Sequence, residues 1–90
     1  MTINVRVTQE HINNGYRQDS NRCPIACAIQ ELRKALVVDV DGTSAYWTEP
    51  QYDNDDLEFN CSLPLEAREF VLAFDRHEPV APFEFMLQWR

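Results

Sequence analysis

Apolar residues in this chain recur at two different periods, and the order in which those periods follow one another limits what it can fold into. Ile3, Val5 and Val7 alternate with Asn4 and Arg6, the period-two signature of a strand with one buried face. The same alternation returns in Val38 and Val40, in Ala45 and Trp47, in Leu57, Phe59, Cys61 and Leu63, and in Phe83, Phe85, Leu87 and Trp89. Two other stretches repeat at helical period. Behind Pro24, Ile25, Ile29, Leu32 and Leu36 recur at i, i+4, i+7 and i+11; behind Pro64, Ala67, Phe70, Val71 and Phe74 recur at i, i+3, i+4 and i+7. Each is one apolar stripe on an amphipathic helix, and a proline suits the first turn, where no N–H is missed. Thr8 can cap a shorter helix through Gln9–Ile12 with Gly15 as its terminator. Asp41-Gly42 is a hairpin signal.

The resulting order is β-α-α-β-β-β-α-β. It predicts an α+β fold with a mainly antiparallel sheet and the two main helices packed on one face, a ferredoxin-like variant being one topology that fits. Ninety residues suffice for a single domain over 1–90 with one core, and not for two. No apolar run reaches the roughly 18 residues that span a bilayer, and the first residues lack the pattern of a secretory signal. Three cysteines, an odd number, fit reduced thiols in a cytoplasm better than a disulfide framework. A cytoplasmic protein without membrane contact is the expectation.

The formal net charge is −7, unevenly spread. Residues 1–34 are net positive through Arg6, Arg17, Arg22, Arg33 and Lys34. Residues 35–60 hold Asp39, Asp41, Glu49, Asp53, Asp55, Asp56 and Glu58 and no basic group. Attraction to nucleic acid depends on cations meeting phosphates, so direct nucleic-acid binding is disfavoured. An anion site confined to the first third remains open.

That site would lie in Arg17-Gln18-Asp19-Ser20-Asn21-Arg22-Cys23-Pro24, which leads into the best helix. Free N–H groups and the helix dipole favour an anion there; Arg17 and Arg22 add cations, Ser20 and Asn21 add hydrogen bonds, and His11 or Tyr16 stand ready for a base or ribose. Helix capping by Ser20 or Asn21, with both arginines solvated, accounts for the same residues, and no glycine-rich phosphate loop is present.

The acidic middle also has two readings. Its carboxylates keep a small domain soluble and discourage edge pairing. Alternatively Asp53, Asp55 and Asp56 imitate phosphates in the basic groove of another protein, with Tyr46, Trp47 and Tyr52 as anchors. Cys23 and Cys27 lack the second ligand pair a metal site needs, so no metal and no cofactor is expected. Cys23 with His11 as base lacks an orienting third group; no complete catalytic constellation is found, and the chain reads as a non-enzyme. The final aromatic strand reads as core, or as a surface pairing with a second copy in a homo-oligomer.

Val7-Thr8-Gln9-Glu10-His11-Ile12, Gly15 and Cys23-Pro24-Ile25-Ala26-Cys27-Ala28 resemble a family of small phage and prophage proteins. The likeness continues in Leu63-Pro64, Phe70, Phe74-Asp75 and Pro79-Val80-Ala81-Pro82-Phe83-Glu84-Phe85 and skips the acidic middle. It implies a phage accessory protein of counter-defence type, and no particular reaction. The first expectation is a sponge that sequesters a small anionic nucleotide immune signal; the alternative is an acidic inhibitor of a host defence protein such as a CRISPR or restriction nuclease.

Overall fold

A computed structural model describes residues 1–35, 37–50 and 56–89. The elements follow the expected order: β1 (Thr2–Val7), α1 (Gln9–Asn14), α2 (Pro24–Arg33), β2 (Val37–Val40), β3 (Ser44–Glu49), β4 (Leu57–Ser62), α3 (Leu65–Asp75) and β5 (Phe83–Gln88). The fold is α+β, with five strands in two antiparallel sheets.

The split into two sheets departs from the single sheet expected. Among the described residues β1 pairs with β5 alone, from Thr2↔Gln88 to Val7↔Phe83, while β2, β3 and β4 form a separate meander. Each hairpin connection keeps sequential strands adjacent, and no pair is parallel among the described residues. A ferredoxin-like arrangement interleaves its strands through split β-α-β units, and this chain does not. Instead α2 packs on both β1 and β2, so it belongs to the two sheets at once.

Local chemistry explains the element ends. Thr8 accepts from the His11 backbone N–H, and the His11 ring accepts from the Thr8 N–H, a reciprocal cap that starts α1. Gly15 ends α1 with an ordinary φ of −76°, so its lack of a side chain answers to space. A Cβ there would lie 2.7 Å from Pro24 Cδ. α2 starts on Cys23, whose Sγ accepts from Ala26 N–H at 3.4 Å. It stops at Lys34 in the left-handed region, φ 51°. The stripe expected to run on through Leu32 therefore shortens: Ile25, Ala26, Ala28 and Ile29 are buried, Leu32 is half exposed, and Leu36 lies outside the described residues. At the β2–β3 hairpin, Asp41 Oδ1 accepts from the N–H groups of Thr43 and Ser44, both at 2.7 Å.

The core joins both sheets and all three helices. Val5, Val7, Phe85 and Leu87 meet Ile25 and Ile29; Val38, Val40, Ala45, Trp47 and Cys61 come from the meander; Ala67, Phe70, Val71 and Phe74 come from α3. Phe70 stacks on Phe83 with ring centroids 4.7 Å apart, which ties α3 to β5.

Candidate functional site

The loop before α2 is held to the body of the protein at both ends. Arg17 Nε donates to the Phe74 carbonyl at 3.1 Å, and its guanidinium lies 5.0 Å above the Phe74 ring. Gln18 N–H donates to Asp75 Oδ1 at 2.9 Å. The Ser20 carbonyl accepts from Val40 N–H at 2.7 Å, and Asn21 Nδ2 donates to the Val38 carbonyl at 2.6 Å. Arg22 sits 5.8 Å from the centre of the Tyr16 ring, and Tyr16 N–H donates to the Arg22 carbonyl. His11 is buried, its Nδ1 in the α1 cap and its Nε2 3.1 Å from Glu31 Oε2.

The six residues expected to hold an anion or its base, Arg17, Ser20, Asn21, Arg22, His11 and Tyr16, are therefore distributed between separate jobs. Arg17 fastens the loop to the end of α3, while Ser20 and Asn21 cover the outer edge of β2. The small cavity beside the loop, about 210 Å³, is lined by Ser20 with Gln18, Asp19, Asp41 and Asp75, and neither arginine lines it. Three carboxylates at its wall oppose an anion by simple Coulomb repulsion. The signal that separates these jobs from ligand binding is tertiary: Phe74, Val38 and Val40 are distant in sequence.

Cys23 is equally occupied. Burial pushes its thiol up to about 11, beyond the lowering effect of the Ala26 and Ile25 backbone N–H groups. A thiol held neutral at physiological pH is a poor nucleophile. Burial also raises Cys27 and Cys61. Among the described residues no three His, Cys, Asp or Glu side chains gather as metal ligands.

The meander is the second candidate. Its register aligns Asp39, Tyr46 and Asn60 in one row and Val37, Thr48 and Glu58 in the next. All face away from the core, and the Tyr46 hydroxyl donates to Glu58 Oε1 at 3.1 Å. No lysine or arginine occupies these rows. Asp56, also exposed, stands just before β4. Trp47 must be reassigned. It is fully buried, stacked on Phe59 at 5.2 Å and edge-on to Trp89 at 5.8 Å, with its Nε1 donating to Glu49 Oε2 at 2.7 Å. Strand alternation sends it inward with Ala45, so it is core and not an anchor. Tyr52, Asp53 and Asp55 lie outside the described residues.

Sequence reasoning missed a third feature. Between β4 and β5 runs an open groove of about 1120 Å³. Glu58, Asn60 and Ser62 form one wall, Glu84, Met86 and Gln88 the other, over a floor that includes Phe59, Phe85 and Trp89. In the sequence these six are merely the outward half of two alternating strands, polar but for Met86; nothing local marks the strands as facing each other.

Comparison with known protein families, curated proteins and solved structures returned no match.

Proposed function

We propose that the protein acts by binding another protein through its acidic meander, without catalysing a reaction. One observation carries this reading: Asp39, Tyr46 and Glu58 share an exposed sheet face with no cation in its rows. A tyrosine among carboxylates suits an interface, because the ring supplies contact area at little entropic cost while the charges steer a basic partner. Tyr46 is already oriented by Glu58. The partner class is a protein with a basic groove. If the likeness to phage accessory proteins holds, that partner is a host CRISPR or restriction effector in the cytoplasm.

The nucleotide sponge finds less support. Arg17 Nε, Asn21 Nδ2 and His11 Nε2 each spend a donor on an internal partner, and the adjoining cavity is walled by aspartates. The two readings separate in one set of measurements. Native mass spectrometry with cyclic and ADP-ribose-type nucleotides is expected to reveal no retained ligand. Titration against purified candidate effectors is expected to give a complex that Asp39→Asn with Glu58→Gln weakens about tenfold and that added salt weakens further. A retained nucleotide, or a complex indifferent to both treatments, defeats the proposal.

A further inference from the structure

We infer that the groove between β4 and β5 takes up an extended, lysine- or arginine-bearing segment of the partner protein as an added β-strand. The inference deepens the protein-binding reading and rests on it.

Hydrogen-bond phase is the first argument. Leu63 N–H donates to the Thr43 carbonyl at 2.9 Å, and the register continues through Ala45↔Cys61 and Trp47↔Phe59. In an antiparallel pair, facing residues alternate between exchanging both bonds and exchanging none. Leu57, Phe59 and Cys61 therefore bond to β3, and the backbone groups of Glu58, Asn60 and Ser62 point away from it. On the other side Trp89 N–H donates to the Met1 carbonyl at 2.9 Å. By the same alternation Phe83, Phe85 and Leu87 bond to β1, and the backbone groups of Glu84, Met86 and Gln88 point outward. All six outward residues line the groove. Among the described residues none of them bonds through its backbone to the opposite wall.

Such edges are templates for another strand, and proteins commonly cover them. This one does so at β2, with Ser20 and Asn21. The contrast marks the β4 and β5 edges as left available. At about 1120 Å³ the groove exceeds the roughly 300–1,000 Å³ of small-molecule pockets. Its walls are strands of six residues each, the length of a docked peptide strand. Strand addition draws affinity from main-chain bonds and specificity from alternate side chains. Phe59, Phe85 and Trp89 on the floor suit alternate apolar residues.

Charge selects the occupant. Among the described residues Glu58, Glu66 and Glu84 line the groove and no lysine or arginine does; Arg6 reaches Glu84 only at 3.7 Å, with both side chains exposed. Basic residues on the incoming strand complement these carboxylates. A second copy of the chain, with its net charge of −7, would bring like charge to the site.

The test uses the purified full chain and an acetylated hexapeptide of alternating lysine and valine, with the glutamate–valine hexapeptide as control. Amide hydrogen exchange is followed at Asn60, Ser62, Met86 and Gln88. The lysine peptide is expected to slow the amides of at least one wall about tenfold or more at saturation, and the control to leave all four unchanged. Met86→Pro removes an outward donor without touching the β1 ladder and is expected to weaken uptake about tenfold. Should that variant not fold, Glu58→Gln with Glu66→Gln must weaken uptake by about threefold or more. Equal binding of both peptides, protection confined to other strands, or a self-association that alone protects these amides overturns the inference. Effector capture that leaves exchange at β4 and β5 unchanged overturns strand addition alone. Peptide uptake at the groove with no effector captured overturns the inhibitor reading instead.

Discussion

The side-chain amide of Asn21 donates to the backbone carbonyl of Val38 at 2.6 Å, reaching from the loop before α2 to the outer edge of β2. With the Ser20 carbonyl receiving Val40 N–H, it closes that edge. Asn21→Ala leaves the Val38 carbonyl to water and is expected to cost about 1–2 kcal/mol. Urea denaturation reads this as a lower midpoint at unchanged slope. An unchanged midpoint would mean that water substitutes fully for the amide.

Gly15 is predicted to be irreplaceable for lack of room. Its φ of −76° is open to any residue, yet a Cβ would meet Pro24 at 2.7 Å. Gly15→Ala is expected to destabilise by about 1–3 kcal/mol through overpacking. Pro24→Ala in the same chain should recover part of that loss, a coupling that a double-mutant cycle measures. Additive effects would place the clash on the Pro24 backbone nitrogen, 2.8 Å from the added Cβ, and not on its ring.

Acid should weaken the fold through Glu49 and Asp41. Desolvation raises the Glu49 carboxyl, but hydrogen bonds from Arg33 and Trp47 and the Arg33 charge outweigh it, and the net position is below the ordinary 4.5. Backbone N–H groups of Thr43 and Ser44 hold Asp41 below its ordinary 3.8. A carboxyl depressed in the folded state contributes stability that is complete above its unfolded value and is lost as pH falls through the folded one. Stability is thus expected to be level from neutrality down to about pH 5 and to fall below that. Glu49→Gln should cost about 2 kcal/mol at neutral pH and flatten the acid limb. An unaltered limb in that variant would exclude Glu49 as its source.

Thiol labelling should discriminate among the three cysteines. Cys23 and Cys61 are buried, while Cys27 is partly exposed. Alkylation of the native protein followed by peptide mapping is expected to modify Cys27 first and Cys23 last, since burial lifts Cys23 to about 11. Rapid modification of Cys23 would reopen the nucleophile that the structure argues against.

The element order was legible because hydrophobic period is a local property. Ala67, Phe70, Val71 and Phe74 all reach the core, as their spacing implies, and Val5 and Val7 do the same on β1. What escaped was set by partners far along the chain. Leu32 continues the helical stripe, yet it stands in the last turn of α2 and is half exposed. Arg17 and Asn21 look like ligand donors until Phe74 and Val38 arrive beside them. Trp47 was readable as core from its alternation with Tyr46, and its surface role was inferred only from the acidic residues around it. The groove required knowing that the meander and the β1–β5 pair form separate sheets, which no local pattern encodes.

The pairing of β1 with β5 also sets the order of folding. Strands β2, β3 and β4 pair with their neighbours in sequence, whereas joining Thr2 to Gln88 and Val7 to Phe83 means closing a loop that holds every other element, a slow and entropically late step. Until residues 83–88 have left the ribosome, Val5 and Val7 have no strand to pair with and remain a sticky edge. The nascent chain is therefore most vulnerable to misassociation in the interval before β5 emerges, and lesions in β5 should slow refolding far more than equal lesions in β3.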